Sequence, residues 1–346
     1  MQSNQKDWYQ PVVEVTRGRI VESIHYGAAA VVDSEGKLVA SFGDPQAVSF
    51  IRSSGKPFQA LPFIEMGGAE KFGFSNSEVG LICASHSGTD QHRDAVEKLQ
   101  AKIGITEADL LCGTHTPFYQ PTVEAMILKG EKPTPNRHNC SGKHSGMLAH
   151  AKLRGIPTEK YLDLDSPVQQ SILNSFAEMC GLSTDQVEMG IDGCSAPNFA
   201  VPLYNAALGF ARLCDPRGLS QMRQTACRKI FTGMTGSPDM VAGPGRFDTI
   251  FMETMNGEIL TKTGAEGYQA FGIPSRNGKP GMGIALKIAD GDLTDRSRGL
   301  VGLEILCQLN YISQTELAKL ADFYSRKLSN WRKITVGEIR PCFKLN

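Results

Sequence analysis

Segments with β-strand character gather at the two ends of this chain, and the stretch between them, about 57–234, is dominated by helical spacing. Short β-prone runs at 12–15, 20–25, 28–33 and 38–42 open the sequence, with Asp33-Ser34-Glu35-Gly36 supplying hairpin-turn chemistry between the last two. Helical length and periodicity follow at 95–103, 123–128, 145–153, 167–180, 199–213 and 218–232. Ser166 before Pro167 is a strong helix start, because proline at the first helical position forfeits no needed hydrogen bond. Strands return at 258–263, 268–273 and 283–289, separated by glycine-rich turns, then a helix at 298–309 and a last strand at 334–339. Strands grouped at both ends predict an α+β protein, an antiparallel sheet flanked by helices, rather than an alternating parallel βαβ array. There is no internal repeat or low-complexity linker. We therefore expect a single catalytic domain over 1–346, with a mostly helical insertion at about 57–234 between the N- and C-terminal strands.

Composition narrows the class. Lys and Arg total 36, as do Asp and Glu, so net charge is zero and a protein that coats nucleic acid is excluded. Nine cysteines, with no Cys-x-x-Cys pair among them, do not form a secreted disulfide framework. The N-terminus MQSNQKDWYQ lacks the basic-then-apolar form of a signal peptide, and no run approaches the ~18 apolar residues of a membrane span. A soluble, cytoplasmic protein without nucleic-acid or membrane partners is expected.

The chemistry-bearing motifs are weak singly and informative in order. Ser53 and Lys56 form Ser-x-x-Lys, and residues three apart share a face in a helical turn, so an amine stands where it can take the hydroxyl proton. Lys262-Thr263-Gly264 sits at a strand end in the returning sheet, the third element of Ser-x-x-Lys hydrolases. The middle element, usually Ser-Asp-Asn, is absent, and Ala84-Ser85-His86-Ser87-Gly88 offers Ser85 or Ser87 in its place. Gly142-Lys143 is no phosphate loop, because position 137, where Walker A needs glycine, is arginine. His138, Cys140 and His144, with distant Cys194, are zinc-ligand types at poor spacing, and a buried structural thiol explains each cysteine equally well.

The runs FIRSSGKPFQALP, ICASHSG, HNCSGKHSGMLA, GIDGCSAPNFAVPL, MVAGPGRFDT and GEILTKTGAEG resemble the rhizobial-type, class 3, L-asparaginases, from about Val12 to the C-terminus. The resemblance implies a serine β-lactamase- and glutaminase-like fold, homodimers, and hydrolysis of L-asparagine to L-aspartate and ammonia. It implies Ser53 as nucleophile with Lys56 as base, and a second pair in Ser85 and Lys262. It also implies zinc held by Cys140, Lys143 and Cys194, with Asp192 adjoining. Substrate contacts are expected from Arg52, His86, Asn139 and Asp192. Some relatives carry cysteine where this chain has Asp248, and Pro244 replaces a more usual acidic residue.

The expected mechanism makes an electrostatic demand. A free lysine has a pKa of roughly 10.4, so about one in a thousand or fewer is neutral at neutral pH. Lys56 acts as a base only if burial and a second cation, taken to be Lys262, bring it to ~7.5. Rival readings are another Ser-x-x-Lys amidohydrolase, acting on glutamine or a β-lactam-like amide, and a non-catalytic zinc- or amino-acid-binding protein.

Overall fold

A computed structural model describes residues 8–346; residues 1–7, on which much of the signal-peptide reading rests, lie outside them. The chain opens with β1 (Gln10–Arg17), β2 (Ile20–Asp33), β3 (Leu38–Phe42) and β4 (Val48–Phe50). β5 (Glu188–Ile191) and β6 (Pro197–Pro202) lie among the helices, and β7 (Leu260–Thr263), β8 (Tyr268–Ile273), β9 (Met282–Ile288), β10 (Arg326–Ser329) and β11 (Thr335–Pro341) follow them. Among the described residues, eight strands form one antiparallel sheet in the order β10-β11-β1-β2-β9-β8-β7, with β3 also on β2. The α+β class with an antiparallel sheet flanked by helices is thus the one the sequence predicts.

β2 is a single strand where the sequence suggests two. Its first half, exposed, pairs with β1 through Gly27, and its second half, buried, pairs with β9 from Gly27 to Asp33. Both ends of the chain therefore meet on one strand. The hairpin to β3 turns as expected: Asp33 Oδ1 accepts the N–H groups of Glu35 (3.0 Å) and Lys37 (2.8 Å), and Gly36 takes the left-handed conformation at φ 92°.

Helices cover both faces of the sheet centre. Leu203–Cys214 packs on β9 so closely that a Cβ on Gly283 would collide with the Ala207 carbonyl. On the opposite face Gly302, in helix Arg298–Gln308, lies against the Phe271 ring. With both faces covered, β8 and most of β9 are buried, which explains why apolar residues and glycine fill them apart from Gln269 and Lys287.

Two sequence expectations change. The helix expected at 199–213 begins only at Leu203; residues 197–202 are β6, pairing with β4 and β5 in a small three-stranded sheet, and Pro202 marks the switch. The helix expected at 145–153 begins four residues sooner, as Ser141–Leu153. Its first turn is pressed against the end of helix Asn76–Ile82, where a Cβ on Gly142 would strike the Leu81 carbonyl. That contact brings Asn139, Cys140 and Lys143 beside the segment carrying Ser85.

Gly283→Ala should therefore separate helix Leu203–Cys214 from the sheet and cost about 1–3 kcal/mol. Urea unfolding of the variant, with midpoint and slope measured together, checks this.

Candidate active site

Ser53 lies in the short 3-10 turn Arg52–Gly55, which runs straight into helix Lys56–Glu65. All of that helix but Glu65 is buried, so Lys56 enters the interior on an apolar rod. Its Nζ meets the Ala84 carbonyl at 2.5 Å, the Ser85 hydroxyl at 2.8 Å and the Asn139 carbonyl at 3.4 Å. The two carbonyls can only accept, so they take two N–H groups, and the third position of the nitrogen faces the Ser85 oxygen. There an ammonium donates, whereas a neutral amine accepts the hydroxyl proton. The Ser53 hydroxyl is not among the hydrogen-bond partners of Lys56. Of the two candidate hydroxyls Ser85 is the one that meets Lys56, whereas the buried Ser87 hydroxyl donates to the Ala242 carbonyl at 2.7 Å.

Lys262 reaches the same region from β7. The strand is tied to the Ser53 turn because the Ser54 hydroxyl donates to the Lys262 carbonyl at 2.7 Å. The Lys262 amine is wholly buried, with the Thr263 carbonyl at 2.9 Å and Asp248 Oδ2 at 3.7 Å. Burial lowers its pKa to about 7; the Lys56 and Arg246 charges push the same way, and Asp248 only partly opposes them. From an ordinary value near 10.4 this is about 4–5 kcal/mol against the charged form. The sequence argument places the loosely held proton on Lys56 and the fixed charge on Lys262. The structure shows the weakened proton on Lys262. The Lys56 charge is one of the influences that loosen it.

Asp248 is held in turn. It accepts from Thr263 N (2.8 Å), Thr263 Oγ1 (2.6 Å) and Gln269 Nε2 (3.0 Å). Burial raises its pKa, but the Lys262 charge and these hydrogen bonds outweigh it, so it stays ionised. Where some relatives carry a thiol, this chain thus places the counter-charge of Lys262.

On the other side of Ser53, Arg52 adopts a left-handed backbone at φ 51°, a cost of about 1–3 kcal/mol for a residue with a Cβ. Its guanidinium donates to Asp192 Oδ1 from Nε (3.1 Å) and Nη2 (2.8 Å). Gly193 N donates to the same oxygen at 2.8 Å, which leaves Oδ2 without a hydrogen bond among the described residues. Asp192 opens the tight turn between β5 and β6 in which Ser195 is also left-handed, at φ 68°.

That turn presents Cys194 to the helix start at Cys140. The Lys143 amine donates to Cys194 Sγ at 2.8 Å. A hydrogen bond with Cys194 lowers the Cys140 pKa well below the usual thiol value; burial opposes this, and the Lys56 and Lys143 charges assist it. Burial acts to lower the Lys143 pKa, but the neighbouring sulfurs of Cys194 and Cys140 outweigh it and hold the amine protonated. Two thiolates and an amine are a donor set that suits zinc, once the lysine proton is displaced. Among the described residues no three His, Cys, Asp or Glu side chains converge as a metal site, so His138 and His144 do not complete a set with the thiols.

Two residues expected to contact substrate also hold the site together. His86 is fully buried: Gly88 N donates to its Nδ1 (3.2 Å), so Nε2 carries the proton and donates to Ser141 Oγ (2.9 Å). Burial and neighbouring His92 keep the ring neutral, and no nitrogen is left for a substrate. The Asn139 carbonyl orients Lys56, while its backbone N–H donates to His115 Nε2 at 3.0 Å. His115, a lone histidine with no motif around it, is absent from the sequence prediction.

Hydroxyls set among buried amines on an α+β scaffold are the equipment of an amidohydrolase. The L-asparaginase II family model matches residues 13–341, and the chain belongs to that family. Among curated proteins none matches. Of solved structures, one of Mglu overlaps with a TM-score of 0.45 at 14% identity, covering 82% of this chain and 67% of that one. Mglu in 4.3 M NaCl gives 0.45 and 14%, over 83% of this chain and 61% of that one. The Bacillus subtilis glutaminase YbgJ, solved as a covalent complex with 5-oxo-L-norleucine, gives 0.37 and 11%, over 83% and 89%. The chain thus spans about two thirds or less of the Mglu chains, and no residue role is taken from these overlaps.

If the neutral Lys262 amine is the working form, turnover rises with pH through about 7. The Asp248 charge raises that pKa, so Asp248→Asn should move the ascending limb of kcat/KM to lower pH. An unmoved limb in ammonia-release profiles would remove Lys262 from the titration.

Proposed function

We propose that this amidohydrolase converts L-asparagine to L-aspartate and ammonia, with Ser53 as nucleophile. The observation that carries this reading is the Lys56–Ser85 contact of 2.8 Å beside a second buried lysine of weakened basicity. Together with family membership, it supplies a hydroxyl–amine relay next to a half-buried serine.

The steps follow from the side chains. The Ser53 oxygen attacks the side-chain amide carbon as its proton passes through Ser85 to the Lys56–Lys262 pair. The Ser53 backbone N–H steadies the oxyanion. The pair returns a proton to the leaving nitrogen, ammonia departs, and a β-aspartyl ester stays on Ser53. Water, deprotonated by the same pair, then releases aspartate. The free Oδ2 of Asp192 takes the α-ammonium of the substrate.

Cys140, Lys143 and Cys194 would hold zinc. The metal would supply positive charge beside Asp192, and so substrate affinity rather than bond cleavage. A homodimer in a reducing cytoplasm completes the reading, as the family resemblance and the unpaired thiols suggest.

Glutamine is the nearest alternative substrate, since one methylene is discriminated by only ~1–3 kcal/mol. Ammonia release from both amides, by wild type and Ser53→Ala, tests the proposal. Asparagine should be preferred, and the variant should lose turnover by at least about 1,000-fold together with any mass-detectable acyl adduct. Full activity in Ser53→Ala ends the nucleophile assignment. Chelation should raise KM for asparagine and leave kcat within about twofold; a fall in kcat alone contradicts the affinity role.

A further inference from the structure

Among the described residues Arg246 is the arginine at this site whose guanidinium is held by a ring rather than by a hydrogen bond or an ion pair. Its half-buried guanidinium rests over the Phe118 ring at 5.4 Å, and among the described residues it makes no hydrogen bond and no ion pair. The nearby carboxylates are committed elsewhere. Asp248 serves Lys262, Thr263 and Gln269, and Asp295 pairs with Arg298. Asp322, on the same wall, forms no ion pair with it. A half-buried guanidinium whose donors no protein group takes can turn them to a ligand, and its fork fits a carboxylate.

The space for such a ligand is present. Arg246, Thr263, Arg298 and Arg326 line a cleft of about 180 Å³ with Asp295 and Asp322, so three positive charges face two negative ones. A water takes ~30 Å³ of liquid, so the cleft has room for a group of a few heavy atoms.

The cleft adjoins the reacting groups by two routes. Along β7, Thr263 lines it directly after Lys262. The next residue, Gly264, lies so near the Ser53 turn that a Cβ there would be 2.7 Å from the Ile51 carbonyl, and its own carbonyl accepts from Arg298 at 3.1 Å. Through the rings, Phe118 stacks on His115 at 4.8 Å, His115 contacts Asn139, and the Asn139 carbonyl meets Lys56.

We infer that Arg246 is the subsite for the α-carboxylate of the amino-acid substrate, and so a specificity-determining residue. This rests on the amide hydrolysis proposed above. The two charges of the amino-acid head group then meet opposite charges, the ammonium at Asp192 and the carboxylate at Arg246.

The test compares ammonia release from L-asparagine and from its α-methyl ester, which keeps the amino group and side-chain amide but has no carboxylate. Wild type should favour the free acid in kcat/KM by about 10- to 100-fold, as charge-assisted hydrogen bonds would give. Arg246→Gln should lose most of that preference through KM for the acid, while the loss of its charge near Lys262 alters turnover of acid and ester alike, and Arg246→Lys should restore part of the preference. A wild-type enzyme indifferent to the ester overturns the inference whether or not the variants fold. An Arg246→Gln enzyme that keeps the preference also overturns it. If wild type releases ammonia from neither compound, the asparaginase reading falls separately, and calorimetric binding of L-aspartate decides the subsite. Weaker binding to Arg246→Gln supports the carboxylate site; equal binding, or none to wild type, overturns it.

Discussion

The burial of two amines around one pair of hydroxyls is the constraint on which this molecule turns. A lysine carried into an apolar interior needs either a counter-charge or a lost proton. This chain provides some of each. Lys56 is met by two carbonyls and a hydroxyl, and Lys262 by one carboxylate too distant to offset its burial. The arrangement is unfavourable for stability and useful for proton transfer, because Lys262 holds its proton weakly.

The fold serves that arrangement by bringing distant segments together. Residues 52–56 follow the N-terminal strands, residues 84–85 and 139–143 come from the helical layer, residues 192–195 from the small sheet, and residues 248–263 from the approach to the returning strands. β2, shared between β1 and β9, joins the first and last of these groups. The close approach at Gly142 joins the two helical ones.

Much of this was legible in the residues. The glycine-rich turns that bound 268–273 and the serine–proline start at 167 mark elements that form within the predicted bounds. Order along the chain placed Ser53, Lys56, Ser85 and Lys262 as one group, and the structure brings Lys56 to Ser85 and β7 to the Ser53 turn. The errors have physical causes. Residues 199–202 are apolar enough for either state, and pairing with β4 and β5 decides for strand. That both His86 nitrogens are engaged was not readable, because tertiary packing rather than spacing brings Ser141 to the ring. The sharing of charge between the lysines was not readable, since it depends on where Asp248 and Arg246 stand in space. The Arg246-Phe247-Asp248 tripeptide gives no local sign that two of its members serve β7.

The left-handed backbone at Arg52 has an evolutionary consequence. Glycine would relax the chain there, since it alone enters that conformation freely. It would also sever the guanidinium link that steadies Asp192. Selection for a tougher scaffold and selection for a competent catalyst therefore pull this position in opposite directions, and the arginine marks which pressure has prevailed.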